Sequence, residues 1–317
     1  MTTEAIPAAA GTDWHRWFRG FSWAVVVFTI GVVVSGDIVQ ATESGAGCGE
    51  NWPRCDGSLI PAIGDASTAV EFTHRMATTV LSLGFIALVL GAWKLYGRGH
   101  RVWNATVWAT VFLVTEILLG AALVLFGWVE DDASWGRVIA DGLHVVNTFL
   151  LVGGTVLIAW FASGAPRFRI DRAGRADRML FGSVIVVLLI AVTGTINSLA
   201  DTLALSDQVD IDETPIAAIL VNIRGIHPAV AIGGGIGIFY LMTLISDSTS
   251  GTTKRLLLGV QAVIGLQFVV GVLNIALLTP LETQITHLVL ADALWILLIL
   301  LTAQMLRVDA PRTVAPA

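Results

Sequence analysis

Long runs of apolar residues with few charges alternate with short polar segments along the whole chain. A helix needs about 20 mostly apolar residues to cross the hydrocarbon core of a bilayer. Eight runs reach that length, and they are Trp17–Gly36, Val70–Trp93, Val102–Trp128, Val138–Phe161, Met179–Leu199, Ala217–Ile245, Leu256–Leu278 and Thr283–Leu306. The pattern predicts an all-α integral membrane protein with eight transmembrane helices.

The composition agrees with a membrane protein. Of the 317 residues, 55% are hydrophobic and only 13% are charged, whereas soluble domains carry about 25% charged residues. The net charge of −6, without a block of basic residues, argues against a nucleic-acid partner. We therefore expect membrane lipid around the chain and no nucleic acid.

The basic residues concentrate on one side of the predicted spans. Because cytoplasmic loops retain Lys and Arg, that side and both termini are expected in the cytoplasm, with the chain in the plasma membrane and the first span kept as an anchor. The residues on this side are Arg16, Arg19, Lys94, Arg98, Arg101, Arg167, Arg169, Arg172, Arg175, Arg178, Lys254, Arg255, Arg307 and Arg312. The opposite, acidic side is expected to face outward.

The two halves of the chain resemble each other. Glu116–Gly120 in the third span corresponds to Gln267–Gly271 in the seventh, and the second and sixth spans each carry one histidine, as do the fourth and eighth. Because each half has an even number of spans, both copies have the same orientation. The sequence predicts two four-helix bundles arranged as parallel repeats, residues 1–172 and 173–317.

Four histidines lie at matching depth, one or two turns inside the outer start of the even-numbered spans: His74, His144, His227 and His287. A lone histidine there would be an ordinary packing or interfacial residue. Ionisable residues inside the membrane are expensive and usually face a cavity, a partner or a cofactor. A set of four favours a metal or haem, and two imidazoles from facing helices suit a six-coordinate haem iron in each half. His15 and His100, among charges at the cytoplasmic side, are predicted to be solvated.

The halves differ around these histidines. Glu71 precedes His74 by three residues and shares its helical face, but the second half has no carboxylate at this place. We interpret Glu71 as a proton carrier beside the first site, with a simple acidic residue at a helix start as the alternative. Arg75 and Arg224 are candidates for haem propionate contacts, and interfacial anchors otherwise.

The remaining polar residues have simpler interpretations. Cys48 and Cys55 lie on the outer loop, where disulfides persist, so we expect a local disulfide, with either a structural or a redox-active role. Glu116 and Asp292 are acids inside spans that need partners. We expect hydrogen bonds across helices from a set of amide residues, Asn147, Asn197, Gln267 and Asn274.

These features together resemble the haem A synthase family over nearly the whole chain. The resemblance rests on Trp52-Pro53 before Cys55, on the sequence Glu71-Phe-Thr-His74-Arg75, and on the histidines of the even spans. Two positions depart from the family pattern, since Phe72 replaces a common Tyr and Glu116 a common Gln. The family converts the C8 methyl group of haem O to the formyl group of haem A for terminal oxidases.

The resemblance implies an oxidoreductase that performs this conversion in two successive oxidations. It implies that His227 and His287 ligate a resident haem b used for electron transfer. It also implies that His74 and His144 receive haem O as substrate and that Glu71 is catalytic. Haem O synthase and terminal-oxidase assembly are the implied partners, with an unidentified electron donor, and a homo-oligomer is left open.

Two other functions account for part of the pattern. A two-haem b-type membrane electron carrier explains the four histidines, but it does not explain Glu71 in one half or the cysteine loop. A transporter with parallel repeats explains the duplication but not four equivalent histidines.

Overall fold

The structure is a computed structural model that describes residues 10–168, 174–206, 208–246 and 249–307. Within these ranges the chain forms nine α-helices and no β-strand. The helices are α1 (Ala10–Ala41), α2 (Ala66–Tyr96), α3 (Arg101–Leu125), α4 (Trp135–Ala162), α5 (Arg175–Leu205), α6 (Pro215–Ile223), α7 (Ile226–Ser246), α8 (Gly251–Ala276) and α9 (Leu281–Met305).

Eight stretches of the described residues are long and apolar enough to cross a membrane. Each contains one of the predicted spans or overlaps nearly all of it, which confirms the prediction of an eight-span, all-α membrane protein. At half of the ends the helices extend three or more residues beyond the apolar runs, because polar and interfacial residues continue the helical backbone outside the hydrocarbon core.

The sixth span differs from the prediction because it is broken into α6 and α7. The break lies at Arg224 and Gly225, directly before His227. Pro228 has no backbone N–H for the carbonyl of Arg224, and its ring also clashes with that carbonyl. Gly225 adds a residue of low helix propensity. One proline therefore starts a new helix next to a candidate ligand.

The helices pack as two groups that meet along α4 and α9. One buried cluster joins α1 to α4 around Phe85 and Leu113. Another joins α5, α7, α8 and α9, and takes in Phe149 of α4. The Trp295 indole of α9 donates a hydrogen bond to the Phe149 carbonyl at 2.6 Å, and this contact fastens one group to the other.

The division of the chain into two four-helix halves at residues 172 and 173 stays a prediction. The boundary between residues 172 and 173 lies outside the described residues, as do Arg169, Arg172 and Arg312 of the basic set. Contacts between α4 and α5, and between α1 and α9, run across the division.

Candidate functional site

His227 of α7 and His287 of α9 face each other. Their ring centroids are 6.4 Å apart and their planes are nearly perpendicular, at 84°. A metal–imidazole bond is about 2.0 Å long, and each ring centroid lies a little behind its nitrogen. The separation therefore leaves space for one metal ion between two facing imidazoles.

A hydroxyl group orients one histidine in each group of helices. Ser35 Oγ lies 2.8 Å from His74 Nδ1, and Thr193 Oγ1 lies 3.3 Å from His227 Nδ1. Both hydroxyl protons are already donated to backbone carbonyls one turn earlier, at 2.7 and 2.9 Å. Since a hydroxyl has one proton, each oxygen is left to accept from Nδ1–H. This tautomer leaves Nε2 unprotonated, the form that binds a metal.

A glycine on the neighbouring helix faces each of these rings. A Cβ atom at Gly36 or Gly194 would lie 3.1 Å from Cε1 of His74 or His227, respectively. Gly120 and Gly271 face the Cε1 atoms of His144 and His287 in the same way, at 3.5 and 3.3 Å. Four glycines thus let the Cε1 edges of four imidazoles approach a neighbouring helix closely.

His144 is engaged by an acid. Its Nε2 lies 3.1 Å from Glu116 Oε1, and Asn147 donates to Glu116 Oε2 at 2.6 Å. Thr148 donates to Oε1 as well. Asn147 also donates to the Phe112 carbonyl at 2.8 Å. The carboxylate is therefore held in place against the ring of a candidate ligand.

The predicted hydrogen bonds across helices form only in part. Asn147 bonds across to α3 as expected, and Thr283 of α9 donates to Asn274 of α8 at 2.6 Å. Asn197 instead bonds within its own helix, to Asp201 at 2.9 Å, because an amide four residues before a carboxylate already faces it. Among the described residues, Gln267 Oε1 and both carboxylate oxygens of Asp292 have no hydrogen-bond partner.

Glu71 connects the loop that carries the two cysteines to α2. Its carboxylate is 3% exposed, accepts the Cys48 backbone N–H at 2.7 Å, and forms an ion pair with Arg75 through Nε at 3.0 Å. Arg75 also donates to the carbonyls of Asn51 and Arg54, at 2.7 and 2.9 Å. The loop between the cysteines is thus held over the N-terminal end of α2.

The expected disulfide between Cys48 and Cys55 is present. Both cysteines are buried, and the Thr68 hydroxyl, one turn before Glu71, donates to the Gly47 carbonyl at 2.7 Å. The disulfide and the Glu71–Arg75 pair therefore belong to one structural unit.

The other predicted residues lie at the ends of helices. Arg224 lies in the break before α7, with Nη1 3.8 Å from Asp201 Oδ1 and a side chain 54% exposed. His15 is exposed. His100 accepts the Val102 N–H at 3.2 Å as the N-cap of α3, so it plays a local structural role as well as the predicted solvated one.

The donor set fits haem better than a bare metal. Within the described residues, no group of three or more His, Cys, Asp or Glu side chains is arranged to hold a metal ion. The site instead offers imidazoles on facing helices, with the ring centroids of His227 and His287 6.4 Å apart. Two imidazoles alone would leave a bare metal ion short of ligands. A haem iron already has four ligands from its macrocycle, so two imidazoles would complete its coordination.

The sequence analysis did not identify the hydroxyl residues and glycines that contact His74 and His227, which are Ser35, Gly36, Thr193 and Gly194. The signal was present as a hydroxyl residue followed by glycine toward the C-terminal end of the first and fifth spans. Hydroxyl–glycine pairs are common in membrane helices, so the signal becomes informative only once the helix that each pair contacts is known.

Comparisons with known proteins show which family the chain belongs to. Residues 19–299 match the model of the COX15-CtaA family, described as cytochrome oxidase assembly protein. A protein of Thermus thermophilus named protoheme IX farnesyltransferase is 35% identical over 304 residues, covering 94% of this chain and 50% of that protein. The heme A synthase of Lysinibacillus sphaericus is 31% identical over 179 residues, 56% of this chain and 54% of that protein.

The fold and site define a multi-pass membrane protein with histidines paired between helices. The chain belongs to the cytochrome oxidase assembly protein family, COX15-CtaA. It spans about half the length of the curated relatives it matches.

Proposed function

We propose that this chain is a haem A synthase, which oxidises the C8 methyl group of haem O to a formyl group. Family membership and relatives named heme A synthase support this activity. The observation that carries the proposal is the pairing of imidazoles with a hydroxyl group and a glycine in both groups of helices, because this geometry prepares Nε2 for iron.

In this proposal, residues 173–317 form the half that keeps a resident haem b, with His227 and His287 as axial ligands. The bound haem b supplies electron transfer to and from the substrate site. The chain contributes the orientation of both rings. Thr193 sets the tautomer of His227, and Gly271 lets His287 approach α8. The buried side chains around Trp295 exclude water from the helices that carry these ligands.

Residues 1–172 form the half that receives the substrate, haem O, between His74 and His144. A substrate site has to release its product, whereas a cofactor site does not. The Glu116 carboxylate occupies His144 Nε2 and so competes with iron for that nitrogen. This competition supports His144 as the displaceable ligand of the pair.

We assign proton acceptance during the oxidations to Glu71. Three donors hold its carboxylate in place, the Cys48 N–H and two nitrogens of Arg75. In the first oxidation, the methyl group and one water would give a hydroxymethyl group, two protons and two electrons. In the second, the hydroxymethyl group and another water would give a gem-diol, two protons and two electrons, and the gem-diol would lose water to become the formyl group. A separate electron acceptor would take the electrons, and the Glu71 carboxylate would accept a proton in each step.

Charge distribution supports an orientation with both termini in the cytoplasm of a cell whose plasma membrane holds the chain. The haem sites then lie toward the outer face, with the disulfide loop above the first one. The guanidinium of Arg75 already donates hydrogen bonds to that loop and to Glu71. Arg224 is half exposed beside Asp201, so it is the better candidate of the two arginines for a propionate contact.

The proposed partners are an enzyme that farnesylates haem, which supplies haem O, and a terminal oxidase under assembly, which takes haem A. The first partner is supported by the name of the Thermus thermophilus relative, protoheme IX farnesyltransferase. The match to this chain covers only 50% of that relative. The family description supports the second. The two electrons that each oxidation releases would pass to a separate redox partner, which acts here as an electron acceptor and not as the electron donor that the resemblance implies.

The test is the pigment content of the full chain co-expressed with a haem O-producing farnesyltransferase. Acid–acetone extraction, chromatography and mass analysis are expected to give haem A together with haem b from the wild-type chain. Glu71→Gln is expected to stall at haem O, whereas Glu282→Gln, an exposed acid in the first turn of α9, serves as the matched control. Haem b alone under haem O supply would overturn the proposal in favour of a b-type electron carrier.

A further inference from the structure

A cavity of about 600 Å³ lies between the two groups of helices, at the end of the bundle opposite the histidines. Its walls come from α3, α4, α5 and α9 and are mostly apolar, with Phe112, Leu157 and Ile299 among them. Trp108 lies at the outer wall with 64% of its side chain exposed. The cavity therefore opens sideways, toward the surface that lipid covers.

The mouth of this cavity is positively charged. Arg101 and Arg167 both line it, and no carboxylate of the described residues forms an ion pair with either. Arg101 Nε is buried and has no hydrogen-bond partner within those residues. A buried guanidinium N–H without a partner is costly in free energy. A ligand with a hydrogen-bond acceptor at this position would remove that cost.

His100 provides a second sign of uncompensated positive charge. Burial lowers the pKa of its imidazole, and the nearby charges of Arg101, Arg167 and His15 lower it further. The cluster also lies at the start of α3, where the helix dipole favours an anion.

We propose that this cavity binds an anionic phospholipid. The phosphate lies against Arg101 and Arg167, and one acyl chain enters along Trp108 toward Leu157 and Ile299. An amphiphile with a single anionic head matches a basic mouth above an apolar cavity, and basic pockets between transmembrane helices are recognised sites for anionic headgroups. The proposal does not depend on the histidines or on the proposed enzymatic activity.

The first experiment measures lipid binding to the full chain, delipidated in a neutral detergent. Phosphatidylglycerol or phosphatidylcholine with brominated acyl chains is added, and quenching of tryptophan fluorescence is followed. Bromine quenches tryptophan only at close approach. The difference in quenching between the wild-type chain and Trp108→Phe therefore measures lipid bound in this cavity. Phosphatidylglycerol is expected to bind at least tenfold more tightly than phosphatidylcholine. Equal affinity of the two lipids would overturn the proposal.

Two classes of variant separate charge from space. Arg101→Gln is expected to weaken phosphatidylglycerol binding about tenfold, the loss typical of one charge-assisted contact. Arg98→Gln, which removes an exposed arginine that does not line the cavity, is the matched control and should leave binding unchanged. Ala105→Phe fills the cavity without changing charge and should reduce quenching at Trp108. An equal effect of Arg98→Gln and Arg101→Gln would overturn the site.

A competition experiment identifies the source of the phosphate. Inorganic phosphate at equal ionic strength should not displace phosphatidylglycerol, because it cannot fill the apolar cavity. Displacement by phosphate would mean that the arginines bind a free anion, and the lipid proposal would then be wrong. Unfolding temperatures of all variants are measured alongside, and Ala105→Phe keeps the test decisive should Arg101→Gln fail to fold.

Discussion

Glu116 lies 3.1 Å from Nε2 of His144, whereas Gln267, its counterpart in the seventh span, has a side-chain oxygen without a partner among the described residues. The two candidate sites therefore differ by one functional group next to one ligand. A carboxylate competes for the imidazole nitrogen that iron requires, and an amide competes far less. In the proposed function, this difference would separate a site that exchanges its haem from one that retains it.

Exchanging the two residues should exchange the behaviour of the sites. In Glu116→Gln, haem in the first site should dissociate about tenfold more slowly, because one charge-assisted competitor is removed. In Gln267→Glu, haem should leave the second site about tenfold faster. The measurement is the rate of haem transfer to a scavenging apoprotein. Unchanged rates in both variants would show that the contact does not control ligand exchange.

The glycines beside the histidines should be sensitive to a single methyl group. Gly194→Ala would put a Cβ 3.1 Å from His227 Cε1, so the ring has to move and haem affinity should fall at least tenfold. Gly36→Ala should do the same at His74. Gly31→Ala and Gly182→Ala are matched controls on the same two helices, with no atom within 4 Å of the added Cβ.

These controls should keep their haem and gain up to about 1 kcal/mol in helix stability, as expected for Gly to Ala in a helix. Haem content by absorbance and helicity by circular dichroism distinguish the outcomes. Equal haem loss in the controls and in Gly194→Ala would refute the close-packing explanation.

The hydroxyl groups should contribute through histidine orientation. Thr193→Val keeps the shape of the side chain but removes the acceptor for His227 Nδ1, and Ser35→Ala does this for His74. Loss of such a supporting hydrogen bond usually costs about 10- to 100-fold in metal affinity. Thr29→Val is the control on α1, because Thr29 bonds only to the Val25 carbonyl. Haem affinity unaffected by Thr193→Val would contradict the assigned role.

Arg75 should protect the disulfide loop from reduction. Its guanidinium donates to two loop carbonyls and pairs with Glu71. Arg75→Gln removes these contacts, so alkylation of Cys48 and Cys55 after mild reductant should be about tenfold faster. Arg54→Gln, which changes an exposed arginine within the loop, is the comparison. Identical alkylation rates in the two variants would mean that other contacts hold the loop.

The sequence predicts the spans because a long apolar run has few alternatives to a membrane helix. It also identifies the four histidines, whose depth repeats between the halves. The break before α7 was predictable from Pro228 alone, but hydrophobicity does not register a missing N–H. The partners of Arg75 and the hydroxyl of Thr193 were not predictable, because they depend on how a loop folds back and how neighbouring helices are rotated.

The central claim is that one pair of histidines receives a substrate haem and the other keeps a cofactor. The most direct test is the identity of haem retained by two double variants under haem O supply. We expect His74→Met with His144→Met to retain haem b and form no haem A. We expect His227→Met with His287→Met to lose haem b. If both double variants contained the same pigments, with the amount of haem b lowered equally, the two haem sites would be equivalent and the assignment would be wrong.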